Sequence, residues 1–203
     1  MTTSRNRYDK HYFDKWYRDP THRISMPGAT RRKAALALAV AEYYLERPLR
    51  TVLDVGCGEG QWQPILKSLR PGIRYTGIDS SEYAVGRYGK RRGLRIGTFS
   101  ELATLNLAAE YDLIICSDAL YYISSRELDR GMRGLVSRMG GVAFLEAYAT
   151  TDSVLGDTST VARRPAAFYR RLFKRHGLVS CGPHCYVSHT LSGCVTSLER
   201  GSV

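Results

Sequence analysis

Val52-Leu53-Asp54-Val55-Gly56-Cys57-Gly58-Glu59-Gly60 is the stretch on which the fold turns. Apolar residues and one carboxylate run directly into glycines at every second position. A buried parallel strand reads as a near-continuous apolar run. Glycine belongs where the chain must turn tightly or bring its backbone close to a ligand. Tyr75-Thr76-Gly77-Ile78-Asp79 then reads as a second strand ending on an acid. An acid in that place suits the hydroxyls of a ribose, so the two stretches together point to a nucleoside-bearing ligand.

Spacing narrows the choice. The dinucleotide fingerprint is G-x-G-x-x-G, and here the third glycine, Gly60, comes one position early. No G-x-x-x-x-G-K-[ST] is present either, which removes the usual nucleoside triphosphate loop.

Working outward, the order of elements predicts a doubly wound α/β sheet. Helix Thr30–Arg47 precedes strand Thr51–Val55, and helix Gln61–Leu69 follows it. Strand Ile73–Ile78, helix Ser81–Lys90, strand Leu94–Gly97 and a short helix Ser100–Leu107 come next. Asp112–Cys116 is a strand apolar on both faces. Ser124 and Glu127 form a capping box on a helix that is expected to bury Leu128, Met132, Leu135, Val136 and Met139. Strand Val142–Leu145 and a helix from Pro165 to His176 follow. Two late strands are expected, one at Val179–Cys181 or Tyr186–Thr190 and one at Gly193–Leu198. The whole chain, 1–203, reads as one domain. It comprises an N-terminal cover (1–30), a ligand-binding core (51–147) and a loop on the acceptor side (148–165).

Composition bounds the rest. The chain has 203 residues, is 43% hydrophobic and carries a net charge of +11. That suits one globular domain. No apolar run approaches the ~20 residues a membrane span needs, and the N-terminus lacks a secretory core, so the reading is cytoplasmic with no membrane partner. Five scattered cysteines fit free thiols in a reducing compartment. Cys181-Gly-Pro-His184-Cys185 lacks a second ligand pair and is read as a loop, not a metal site. The basic excess favours anionic partners, although several clusters lie at helix C-termini, where cations suit the macrodipole.

The stretch from Val52 to Gly60 resembles the first motif of the Rossmann-like, class I S-adenosylmethionine-dependent methyltransferases. Gly77-Ile78-Asp79 is similar to that family's acidic second-strand end. Tyr111-Asp-Leu-Ile-Ile-Cys-Ser117-Asp118-Ala-Leu-Tyr121-Tyr122 resembles its fourth-strand motif. The likeness implies a seven-stranded, mostly parallel sheet with an antiparallel last strand, and S-adenosylmethionine as cofactor. It places Gly56, Cys57 and Gly58 along the methionine moiety and Asp54 near its amino group. It also places Asp79 and Ser80 at the ribose, Thr98 and Phe99 at the adenine, and Ser117 at the methyl end. The family's usual adenine-binding Asp after strand three is replaced here by Gly97-Thr98-Phe99-Ser100.

The ending Asp118-Ala-Leu-Tyr-Tyr is more like small-molecule N- and O-methyltransferases than base or glutamine methylases, which carry [Asn/Asp]-Pro-Pro-[Tyr/Phe] there. A small, anionic or amine-bearing acceptor is therefore expected. An RNA acceptor is the rival prompted by charge, and a non-catalytic S-adenosylmethionine-binding protein is the third reading. His11, Asp118, Tyr122 and Glu146 are candidate acid–base groups. Tyr12, Trp16, Tyr121, Tyr148 and Arg164 are candidate acceptor contacts. Tyr12/Trp16 and Phe13/Tyr17, four apart, would form two aromatic rows on a helix. Oligomeric state is not written in the sequence.

Overall fold

The computed structural model describes residues 8–22, 28–153, 156–158 and 161–198. The remaining parts of the expected N-terminal cover and of the 148–165 loop lie outside the described residues. Seven strands form one sheet: β1 (Thr51–Val55), β2 (Arg74–Asp79), β3 (Leu94–Ile96), β4 (Tyr111–Cys116), β5 (Met139–Leu145), β6 (Leu178–Gly182) and β7 (Cys185–Ser188). Their order is β3-β2-β1-β4-β5-β7-β6. β7 runs antiparallel to both neighbours, and the other pairings are parallel.

Strand periodicity sorts the core into two layers. Leu53, Ile114 and Cys116 point to one face, where they pack with Leu128, Met132 and Leu135 of α5 (Ser125–Val136) and with Tyr169, Leu172 and Phe173 of α6 (Ala166–Arg175). Val52, Leu113 and Ile115 point to the other, against Ala34, Ala37, Leu38 and Ala41 of α2 (Ala29–Leu45) and Trp62 and Leu66 of α3 (Trp62–Leu69). Alternation by two along each strand builds both layers at once. β4 is buried along its whole length. The helix α4 (Glu82–Arg92) covers β2 and β3, capped by Ser81, whose side chain accepts from the Ala84 amide.

Three expectations change. Met139 starts β5 and does not end α5: that helix stops at Val136, where Ser137 hydroxyl and backbone groups bond back into the last turn. The helix expected over Ser100–Leu107 shrinks to a single 3-10 turn, Phe99–Glu101. Its capping box between Thr98 and Glu101 closes the turn on itself. Gly193–Leu198 is not a strand. The chain reverses early, with His184 in the left-handed region (φ +59), so β6 and β7 pair as a hairpin. His189–Cys194 then coils as 3-10 turns.

The N-terminal segment is a helix that starts as α-helix over Lys10–Phe13 (α1) and widens into π turns over Asp14–Arg18. It lies across the carboxyl ends of β1 and β2, the edge where open α/β sheets hold ligands.

Candidate active site

The glycine turn after β1 folds as its sequence demands. Gly56, Gly58 and Gly60 have φ of +72, +53 and +70, a region that L side chains enter only at a cost of about 1–2 kcal/mol. At Gly58 the space is closed as well: a Cβ there would stand 2.9 Å from the Tyr17 hydroxyl. The absence of a side chain therefore lets the N-terminal helix pack closely on the turn.

Asp79 ends β2 beside it. One carboxylate oxygen accepts from the Gly58 amide at 2.7 Å and the other from the Ser81 amide at 2.8 Å. The side chain thus ties the glycine turn to the start of α4. Burial pushes its carboxyl up, against the pull of those backbone donors. An ionised carboxylate offers about four acceptor positions, so capacity is left for the two hydroxyls of a ribose.

A cleft of about 190 Å³ runs along this edge of the sheet. Gly56, Gly58, Asp79 and Ser80 line it with Gly97, Thr98, Phe99 and Ser100, and so do Asp118, Ala119, Tyr122, Ile123 and Glu127. Tyr8, Tyr12, Phe13 and Tyr17 roof it.

Of the predicted residues, Gly56, Gly58, Asp79, Ser80, Thr98, Phe99, Tyr12, Asp118 and Tyr122 thus come together on one cavity. Others stand behind its wall. Asp54 is buried and accepts from the Tyr75 hydroxyl at 2.5 Å, with burial raising its carboxyl to about 7. Cys57 packs over Gly77, where a Cβ would lie 2.8 Å from its sulfur. Ser117 donates to Glu146 at 2.6 Å, and Glu146 is itself buried. Tyr121 is buried between Tyr122 and Tyr148. Arg164 is buried too, donating to the Ile123 carbonyl and the Ser125 hydroxyl, so it pins the turn before α5. His11 is exposed.

Trp16 turns away from the cavity, edge-on to His22 with Lys15 over its ring. Of the expected α-helical rows, Phe13/Tyr17 forms, with ring centroids 5.0 Å apart, and Trp16 leaves the other. The π turns close bonds five residues apart, as from the Asp19 amide to the Asp14 carbonyl at 2.9 Å. Tyr12 and Tyr17, five apart, both reach the cleft.

Sequence reasoning missed Tyr8, Ile123 and Glu127 on the lining, and it missed Lys33 altogether. Lys33, in the Arg31-Arg32-Lys33 run of α2, donates to Glu146 at 2.7 Å and to Asp118 at 3.4 Å. Only the packing of α2 beside β5 joins them, and no spacing in the sequence announces it.

The Methyltransferase domain family matches residues 8–196. Among curated proteins nothing matches. Solved structures of similar fold include Streptomyces venezuelae DesVI (17% identity over 80% of this chain and 94% of that one, TM-score 0.58). The sugar N-methyltransferase KedS8 from Streptoalloteichus sp ATCC 53650 is 16% identical over 80% and 90%, with TM-score 0.59. The magnesium protoporphyrin IX methyltransferase ChlM from Synechocystis PCC 6803 with bound SAH is 18% identical over 86% and 87%, with TM-score 0.54. At such identities the likeness carries the fold.

Proposed function

The chain belongs to the methyltransferase domain family, and from that premise we propose that it transfers the methyl group of S-adenosylmethionine to nitrogen or oxygen of a small molecule. The observation that carries this is Asp79: a buried carboxylate, fixed by two backbone amides beside an open glycine turn, on the same cavity as Asp118. When bound, S-adenosylmethionine supplies a methyl carbon already activated by a positive sulfur. Asp79 would accept the ribose hydroxyls, and the turn at Gly56 and Gly58, on the cleft lining, would present its backbone to the methionine moiety. Thr98, Phe99 and Ser100 would wall the adenine. The Thr98 hydroxyl is engaged with Glu101, so the ring face of Phe99 and backbone groups supply most of that contact. Placement and exclusion of water then carry much of the rate.

Lining chemistry supports an amine-bearing or neutral acceptor over an anionic one. The charged residues on the cavity are Asp79, Asp118 and Glu127, with no Lys, Arg or His among the described lining residues. The basic excess lies elsewhere. On α4, for instance, Arg87, Arg91 and Arg92 gather round the Tyr88 ring.

Calorimetry with S-adenosylhomocysteine tests the cofactor half. Wild type should bind, and Asp79→Ala should weaken binding by about tenfold or more, because two hydrogen bonds to a buried charged acceptor are lost. Undiminished affinity in a folded Asp79→Ala protein would reduce Asp79 to a tether. For the acceptor half, labelled S-adenosylmethionine is offered with primary amines, phenols, carboxylates and total RNA. Label in the amines or phenols is expected, and label in RNA alone would replace the small-molecule reading.

A further inference from the structure

At the cleft wall formed by Asp118 lies an ionic cluster assembled from three distant parts of the chain. Lys33 comes from the first turns of α2, Asp118 from the turn after β4, and Glu146 from the residue following β5. The Lys33 ammonium donates to Glu146 Oε2 at 2.7 Å and to Asp118 Oδ2 at 3.4 Å. Glu146 accepts as well from the Ser117 hydroxyl, and the Tyr148 hydroxyl lies 3.4 Å from its second oxygen. Only 4% of the Glu146 side chain is exposed, against 39% of Asp118. Glu146 is thus the anchor, Lys33 the bridge, and Asp118 the member that lines the cleft.

The backbone agrees with that division. Asp118 sits in the left-handed region, φ +59. A non-glycine residue stays there only where its surroundings hold it, and such positions gather at functional sites.

We propose that Lys33 is a positioning residue for the acceptor. Seated on buried Glu146, its ammonium group holds Asp118 ionised and oriented at the cleft, where the carboxylate takes up the hydrogen of an N–H or O–H acceptor. The proton moves from that nitrogen or oxygen to Asp118, which becomes a neutral carboxylic acid and releases it to solvent at the mouth. The acceptor class follows: a group that bears hydrogen on the atom to be methylated. This rests on the methyl-transfer reading above.

The electrostatics give the cluster its lever. Burial and Glu146 push the Asp118 carboxyl up, and Lys33 opposes them. The other titratable groups facing Asp118 are Tyr17 from the N-terminal helix, Cys116 from β4, Tyr121 and Tyr122 from the turn after it, and Tyr148 beyond β5. Burial raises all of these well into their neutral forms. Lys33 is therefore the cation among the described groups around Asp118.

Carbon-13 NMR titration of protein labelled at aspartate carboxyls, with Asp118→Asn to assign the signal, reads the coupling without any acceptor. In Lys33→Met the Asp118 midpoint should rise by about one pH unit or more, since an opposite charge within reach is lost. Lys33→Arg should keep it near the wild-type value. Glu146→Gln should lower it, because a repelling charge goes while Lys33 stays. Affinity for S-adenosylhomocysteine should stay within about threefold in all three, because neither Lys33 nor Glu146 is on the cleft lining. With the best amine of the acceptor panel, Lys33→Met should lower kcat and Lys33→Arg should restore it. An unmoved Asp118 midpoint in Lys33→Met overturns the proposal. If Lys33→Met does not fold, Lys33→Gln is read in its place. Failure of wild type to bind S-adenosylhomocysteine would sink the methyl-transfer reading instead, whatever Asp118 does.

Discussion

Asp54 shows what one residue inside the glycine-turn motif does that its spelling does not say. It is expected near the cofactor's amino group, and the fold buries it with the Tyr75 hydroxyl donating to it. Burial holds its carboxyl at about 7, far above the ordinary 3.8. The folded state therefore binds this proton more tightly than the unfolded chain. The stability it contributes is full below about pH 3.8 and is lost as pH rises through about 7. Asp54→Asn should remove that slope, leaving the variant more stable than wild type at pH 8 by about 1 kcal/mol or more. Urea unfolding at pH 5 and pH 8 checks it, and parallel behaviour of the two proteins would show that Asp54 titrates normally.

Among the elements, α5 sets where Phe99 stands on the cleft lining. Gly131 and Gly134, one turn apart, let it press onto the segment after β3. A Cβ at Gly131 would meet the Phe99 ring at 2.1 Å and the Phe99 carbonyl at 2.4 Å, and one at Gly134 would meet the Ala103 amide at 2.5 Å. Alanine is the better helix former by about 1 kcal/mol. Backbone in the way outweighs that gain, since overpacking a tight contact costs about 1–3 kcal/mol or more. Gly131→Ala should therefore lower the melting temperature and also weaken S-adenosylhomocysteine binding through the displaced Phe99. A variant of unchanged stability would mean that the helix slides freely. The sequence reading used these glycines for nothing, because their role depends on which element lies opposite.

At the scale of the whole molecule, the N-terminal segment closes the cleft that the sheet opens. Phe13 is buried against Tyr17 and Tyr83, the Ser81 hydroxyl donates to the Tyr8 carbonyl, and Arg18 is bonded to Glu59 of the glycine turn. Glu59 is buried while 38% of the Arg18 side chain is exposed, so the ion pair is worth about 1 kcal/mol after screening. Glu59→Gln should leave the melting temperature of the core nearly unchanged but speed tryptic cleavage at Lys10, Lys15 and Arg18. S-adenosylhomocysteine should slow that cleavage again. Cleavage at the wild-type rate would show that the aromatic contacts alone keep the segment down. No helix among the described residues is long and apolar enough to cross a membrane.

The sequence by itself determined the five strands β1 to β5, the glycine turn and the acid that faces it. Those features are local: apolar runs, alternation by two, and glycines that positive φ requires are all written in neighbouring residues. Tertiary structure alone decided which candidates share a cavity. It set Asp118, Tyr122 and Tyr12 on the lining and put Asp54, Ser117 and Glu146 behind it. It also turned Trp16 outward through π turns and joined Lys33 to a carboxylate more than a hundred residues away. A pairing across such a distance is made by packing one helix on one strand, and no periodicity along the chain encodes it.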